Sequence, residues 1–199
     1  MPQTLKYNHR NIKRNMVLVG VAGVGKTTLG KIASENLSMP FVDVDMGFEN
    51  VEGAGIDTLL ERYGEDELNR RILSYFTDLI RRENHTIFAA PARITHLKGF
   101  WDVVKQNGVS IYLRGKPIEV YMRQDIWVKG RKLSKEEKLK KRWQYEFYDY
   151  YLWRMRHCQK ADFTVQVVGN KQIDAENLCK KIEQIISIDN PEKEGVSNL

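Results

Sequence analysis

The chain has 199 residues, 42% of them hydrophobic and 29% charged, with 14 glycines and 5 prolines. That is the make-up of one globular domain and excludes collagenous, mucin-like and wholly disordered readings. The formal charge of +6 is local: the first fourteen residues carry four positive charges and no acid, Lys129 to Arg142 holds eight Lys/Arg against Glu136 and Glu137, and the remainder is net acidic, which argues against nucleic-acid binding by the whole fold.

Cys158 and Cys179 fit neither a metal-ligand spacing nor a secreted disulfide scaffold, which points to a reducing compartment. The longest apolar run, Met16 to Val19, falls far short of the roughly 20 residues of a membrane span. The basic N-terminal arm, residues 1–14, lacks the apolar region and cleavage site of a secretory signal. A cytoplasmic protein with no membrane partner is expected.

Short β-branched runs alternate with longer amphipathic stretches, the pattern of βαβ units around a parallel sheet. In chain order the expected elements are a strand at Met16 to Gly20, a helix at Lys26 to Leu37, a strand at Phe41 to Val44 and a helix at Glu65 to Arg82. A strand at Thr86 to Ala90, a helix at Ile94 to Gln106, a strand at Val109 to Leu113 and a helix at Pro117 to Trp127 follow. A basic loop then leads to a helix at Lys135 to Arg156, a strand at Phe163 to Val167 and a helix at Asp174 to Ile188. One α/β domain over 15–188 is expected, with helices on both sheet faces and a flexible tail at 189–199.

Gly20-Val21-Ala22-Gly23-Val24-Gly25-Lys26-Thr27-Thr28 satisfies G-x-x-x-x-G-K-[ST] between the first expected strand and helix. Glycines let such a loop wrap until backbone N–H groups face a β-phosphate, and the following helix offers its positive end. Gly20, Ala22, Gly23, Val24, Gly25, Lys26, Thr27 and Thr28 form the expected nucleotide-binding set, with Lys26 bridging the β- and γ-phosphates of ATP and Thr27 offering its hydroxyl to Mg²⁺. The chain next reads Phe41-Val42-Asp43-Val44-Asp45, and strand alternation predicts Asp43 and Asp45 on one side at the carboxyl edge of the sheet. Two carboxylates there suit two jobs: Asp43 behind the metal, and Asp45 aligning an acceptor hydroxyl or accepting its proton.

With these pieces the chain resembles the shikimate kinase family of small P-loop kinases, over about Asn15 to Ile188. The resemblance rests on the P-loop through Leu29-Gly30, the Asp43-x-Asp45 strand followed by Glu49, Pro117-Ile118-Glu119 after the fourth strand, and Ala161-Asp162 before the last. It implies a three-layer P-loop fold with a five-stranded parallel sheet in the order 2-3-1-4-5, a lid, and transfer of the γ-phosphoryl group of ATP to a hydroxyl. It also implies a place for Arg123 in the nucleotide site and a lid at about 129–134, where Lys129-Gly130-Arg131-Lys132-Leu133 brings Arg131 over the γ-phosphoryl group as a catalytic cation.

The lid departs from the family pattern in carrying Lys132 where the family has proline, and the other departures fall on the acceptor side. The family's Gly-Gly-Gly turn after the third strand reads Pro91-Ala92-Arg93 here, offering Arg93 as an anchor for an anionic acceptor group. Where the family grips a carboxylate with an arginine early in a helix, this chain reads Gly64-Glu65-Asp66-Glu67. The later family arginine is approximated by Trp153-Arg154-Met155-Arg156, with Arg154 taken as substrate-binding and Arg156 as the other candidate. The expectation is therefore an ATP-dependent kinase acting on a small-molecule hydroxyl or phosphate acceptor that is not shikimate, with a nucleotide or nucleoside acceptor as a variant. A nucleotide-binding regulatory module and a nucleic-acid-associated ATPase are the alternatives, separated by acceptor-stimulated ADP release and by a steep salt dependence of nucleic-acid binding.

From Trp143 to Trp153 seven of eleven residues are aromatic, and helical spacing predicts Trp143, Phe147, Tyr150 and Tyr151 on the face packed against the sheet. The block Lys135 to Arg142 reads as a solvated face. His85, His96 and His157 sit at no ligand or triad spacing and are assigned no chemistry.

Overall fold

The computed structural model describes residues 14–123, 127–128, 131–132 and 134–189. The arm before Arg14, the tail beyond 189, and Lys129, Gly130 and Leu133 of the expected lid lie outside the described residues.

The chain opens with β1 (Asn15–Val19), α1 (Lys26–Leu37), β2 (Phe41–Asp43), α2 (Val44–Glu52), α3 (Ile56–Tyr63), α4 (Glu65–Arg82) and β3 (Ile87–Ala89). A 3₁₀ turn at Ala92–Ile94 leads to α5 (Phe100–Asn107), β4 (Gly108–Gly115), α6 (Pro117–Arg123), β5 (Trp127–Val128) and β6 (Arg131–Lys132). The chain then runs through α7 (Lys135–Lys138), α8 (Lys141–Cys158), β7 (Phe163–Val167) and α9 (Lys171–Asp189).

The five main strands form one parallel sheet in the order β2-β3-β1-β4-β7, with Met16 opposite Ile87 on one side and Val109 on the other. This is the expected 2-3-1-4-5 order, β7 being the fifth strand of the sheet. Period-two alternation divides β1 between two cores. Met16 and Leu18 pack with Leu29 and Ala33 of α1 and Leu178 and Ile182 of α9. Val17 and Val19 face Ile72 and Phe76 of α4 and Phe100 of α5. Each fully buried Leu, Ile or Phe contributes about 1.5–3 kcal/mol.

Helix α4 shows why local sequence can specify an element unaided. Glu65, Asp66 and Glu67 fill its first turn and Arg81 and Arg82 its last, each opposing the helix dipole, while Leu68, Ile72 and Phe76 repeat along the buried face. Its bounds coincide with the expected ones, as do those of α1.

Other expectations are corrected. Strand β2 stops at Asp43, because the Asp43 side chain accepts a hydrogen bond from the Met46 N–H and caps α2, so helical turns replace the expected pleat at Val44 and Asp45. The sequence reading left 44–63 without elements, and α2 and α3 fill it, with Glu49 Oε1 accepting from the Ile56 N–H at 2.8 Å to cap α3. The helix expected from Ile94 is a 3₁₀ turn followed by a later start at Phe100, after Gly99 turns the chain at φ 91°. The helix expected to run to Trp127 ends at Arg123, and Trp127–Val128 pairs antiparallel with Arg131–Lys132, so part of the expected lid is a two-residue ladder.

The helix expected over 135–156 is broken. Ser134 and Glu137 form a capping box that opens α7, the helix ends after one turn at Lys138, and Lys140 takes an extended conformation before α8. Lys138 is consequently not on a solvated face: it is 5% exposed and its Nζ donates to the Met122 carbonyl at 3.4 Å. On α8, Tyr151 is buried as expected but Tyr150 is 39% exposed, since consecutive helix residues point about 100° apart. The side chains of Trp143, Tyr145, Phe147 and Tyr148 lie outside the described residues.

Candidate active site

The P-loop follows β1 directly. A side chain at Gly20 would meet the Leu113 carbonyl oxygen of β4 at 2.9 Å, so the loop can leave the sheet here only without a Cβ. Gly25 caps α1 at φ 110°, in the left-handed region glycine favours, and its carbonyl accepts the Leu29 N–H at 2.8 Å. Val24 is buried beneath the loop while Ala22, Gly23 and Thr28 are exposed at its surface. The loop thus turns backbone and the N-terminus of α1 outward, the arrangement that receives phosphate.

Lys26 donates from Nζ to the Gly20 carbonyl at 2.9 Å and the Val21 carbonyl at 3.2 Å. Burial lowers its pKa, Asp45 and Asp43 oppose that shift, and Arg154 adds to it. Thr27 Oγ1 donates to Asp43 Oδ2 at 2.5 Å, placing a hydroxyl and a carboxylate oxygen side by side. These are hard oxygen donors of the kind Mg²⁺ takes, so the pair fits the role read from sequence. Among the described residues no group of three or more His, Cys, Asp or Glu offers a metal site.

Asp45 stands in the first turn of α2, brought beside Lys26 by helical geometry rather than by strand alternation. Its Oδ1 is buried without a hydrogen-bond partner. Burial raises its pKa, Lys26 and then Arg93 pull it back, and Asp43 and Glu49 push it up. A carboxylate with an unused buried acceptor beside the phosphate-binding lysine is suited to receive a hydroxyl proton or to align the hydroxyl.

The acceptor side is built from distant segments. Arg93 lies in the turn after β3 and exerts its charge on Asp45. Asp66, read from sequence as facing an acceptor carboxylate, is exposed on α4; the inward polar residue is Asn69, 2% exposed, its Oδ1 unpartnered. The sequence signal for Asn69 was a single polar residue interrupting the apolar face Leu68, Ile72, Phe76. Arg154 is 6% exposed and turned onto the chain itself, its Nη1 donating to the Ala92 carbonyl at 2.6 Å. His96 and His157, assigned no chemistry from sequence, pack around it with Trp153.

Arg123 lies apart from these groups, against the turn after β7. It pairs with Glu119 at 3.7 Å, and a Cβ on Gly169 would meet its Nη2 at 2.5 Å. The backbone of Arg131 belongs to the β5–β6 ladder, and its side chain lies outside the described residues.

Comparison with known proteins agrees with this geometry. The sequence profile described as shikimate kinase matches residues 22–186. The chain is 32% identical over 123 residues to a shikimate kinase of Burkholderia lata, a match covering 62% of this chain and 63% of that protein, so the match spans less than two thirds of the relative's length. Among solved structures, shikimate kinase from Bacteroides thetaiotaomicron superposes with a TM-score of 0.73 at 17% identity, over 85% of this chain and 98% of that one. Shikimate kinase from Acinetobacter baumannii in complex with shikimate gives 0.71 at 25% identity, over 89% and 94%. No described helix is long and apolar enough to cross a membrane. With the P-loop, the strand order and the Asp43 and Asp45 pair in place, the chain belongs to the shikimate kinase family.

Proposed function

We propose that the protein transfers the γ-phosphoryl group of Mg-ATP to a hydroxyl of a small molecule held beside Asp45. The observation that carries this reading is the buried, unpartnered Asp45 Oδ1 next to the P-loop lysine. Lys26 would hold the phosphates, Thr27 and Asp43 would hold Mg²⁺, and Arg131 would approach from the 127–132 hairpin. Bound there, Mg²⁺ would offset charge on the phosphate oxygens. Asp45 orients the acceptor hydroxyl and takes its proton, while Arg93 supplies positive charge on the acceptor side. Transfer demands little covalent chemistry of the protein, so positioning and fixed charge are its main contributions.

The acceptor in this reading is a compound other than shikimate. The turn that resembles a glycine run in the family carries Pro91, Ala92 and Arg93, whose side chains occupy space a bare backbone would leave free. An acceptor presenting a hydroxyl donor to Asp45 satisfies its buried oxygen; a carboxylate placed against it does not.

A coupled ADP-release assay with a panel of polyols, sugar acids and shikimate tests this. The expected result is Mg-ATP turnover raised by a hydroxyl compound and raised far less, or not at all, by shikimate. Equal turnover with shikimate would overturn the specificity reading, and no stimulation by any acceptor would overturn the kinase reading.

A further inference from the structure

Arg154 is a buried cation, and every group it touches belongs to the chain. Nη1 donates at 2.6 Å to the Ala92 carbonyl and lies 3.0 Å from His96 Nδ1, Nε donates to the Tyr150 hydroxyl at 3.2 Å, and the guanidinium carbon stands 4.6 Å from the Trp153 ring. No carboxylate pairs with it among the described residues. Burying a guanidinium is costly unless its donors are used, so the fold spends this residue on something specific. What it grips is the 3₁₀ turn carrying Arg93: the Ala92 carbonyl also accepts from Thr95 Oγ1 at 3.0 Å. Arg154 and Ala92 are 62 residues apart, so the contact joins α8 to the acceptor side across the molecule.

The His96 contact sets a condition. Every Arg154 nitrogen is a donor, so His96 Nδ1 serves as acceptor only while that nitrogen carries no proton. An imidazolium there would lose the bond and face a second cation. His96 is surrounded by Arg154 and His157 of α8 and by Glu65 and Asp66 of α4. Burial comes first among the causes holding its pKa below the ordinary value, followed by the positive charge of Arg154 and then His157; the two acids oppose them. His157 is shifted the same way, by burial and then by Lys160 and Arg154.

We propose that Arg154 is a positioning residue, which, gripped by His96 and Tyr150, fixes the turn at 91–94 and so sets where Arg93 stands opposite Asp45, and that protonation of His96 releases the turn. This rests on Asp45 being the acceptor-side carboxylate. Arg93 is among the charges acting on Asp45 and Arg154 among those acting on Lys26, so Arg154→Lys, which keeps the charge, separates an effect through the turn from one through Lys26. The sign is fixed: His96 is neutral in the gripped state, so grip and stability are present above the ordinary histidine range and are lost as pH falls below it, through the lowered value His96 has in the fold.

Two readouts test this without an acceptor. The first is amide protection of Ile94 and Leu97, whose N–H groups donate to the Pro91 and Ile94 carbonyls, followed from about pH 8 to about pH 5. Protection is expected to fall about tenfold in the wild type over that range. It should stay level in His96→Asn, whose amide oxygen accepts without titrating, and be low throughout in Arg154→Met. The second is the Asp45 carboxyl titration by carbon-13 NMR, assigned with Asp45→Asn: Arg93→Met and Arg154→Met should both raise it.

An unchanged pH dependence in His96→Asn would overturn the switch. A titration raised by Arg93→Met and untouched by Arg154→Met would overturn the positioning role. Arg154→Lys keeps charge and stem, and Mg-ATP affinity by calorimetry checks that each variant is folded. Failure of the wild type to bind Mg-ATP would count against the kinase reading, while the protection data would still decide the turn.

Discussion

The nucleotide half and the acceptor half of this site are built in opposite ways. The residues read as phosphate-facing run mainly from Gly20 to Thr28, contiguous residues joining β1 to α1, with Asp43 brought in from a distance to 2.5 Å from Thr27. The residues read as acceptor-side come from α2, α4, the turn after β3 and α8, and reach one another through contacts such as Arg154 to Ala92. A loop that binds phosphate through backbone geometry is specified where it is written; a pocket assembled from four segments can change one residue at a time while the fold stands. This matches where the departures from the family pattern lie, in Pro91-Ala92-Arg93 and the first turns of α4 rather than in the P-loop.

The sharpest way to break that comparison is Lys26→Ala. It is expected to remove transfer by about 10³-fold or more while circular dichroism and melting remain those of the wild type. Burial already disfavours the Lys26 charge, so its removal should not unfold the protein. Retained activity in a folded variant would take the P-loop out of the mechanism.

Arg131→Ala comes next and asks whether the 127–132 hairpin serves the nucleotide half. Turnover is expected to fall by roughly 10³-fold, with Mg-ATP affinity changed little, because a cation that closes on transferring charge acts mainly in the transition state. A matching loss in affinity and turnover would make Arg131 a ground-state ligand instead.

Asp45→Asn probes the junction of the halves. Turnover should drop by about 10²–10⁴-fold, yet the variant should melt higher at neutral pH. Burial raises the Asp45 pKa above its ordinary value, so the folded state prefers the protonated form and stability is lost as pH rises through that raised value. The stabilising margin of the Asn variant should therefore shrink as pH falls toward the ordinary carboxylate range, where the wild-type group takes its proton in both states. Melting curves at several pH values check the sign, and a margin that grows on acidification would contradict it.

The smallest effect distinguishes two neighbouring lysines. Lys138→Ala should destabilise by about 1–2 kcal/mol, through loss of its packed stem and its bond to Met122, while Lys135→Ala should do almost nothing. Equal melting temperatures for the two variants would return Lys138 to the solvated face that its sequence context suggested.

The contrast between the halves also explains what could be read from residues alone. The P-loop and the bounds of α1 and α4 were legible, because glycine spacing, charge at helix ends and apolar period are local signals, while the strand order came with the family resemblance. Asp45 was identified for a reason that did not hold: it arrives by a helical turn after the Asp43 cap, not by the pleat of a strand. The 135–156 stretch carries continuous helical character in sequence, and the extended Lys140 divides it.

Amino-acid order by itself determined the phosphate-binding loop and the βα alternation, since each depends on residues within a few positions of one another. Only the tertiary structure decided that Asn69 rather than Asp66 points inward, that Lys138 is buried, and that Arg154 closes on Ala92 beside His96. Those outcomes depend on which helix face meets which neighbour, and on where a buried donor finds its acceptor, neither of which is carried by spacing along the chain.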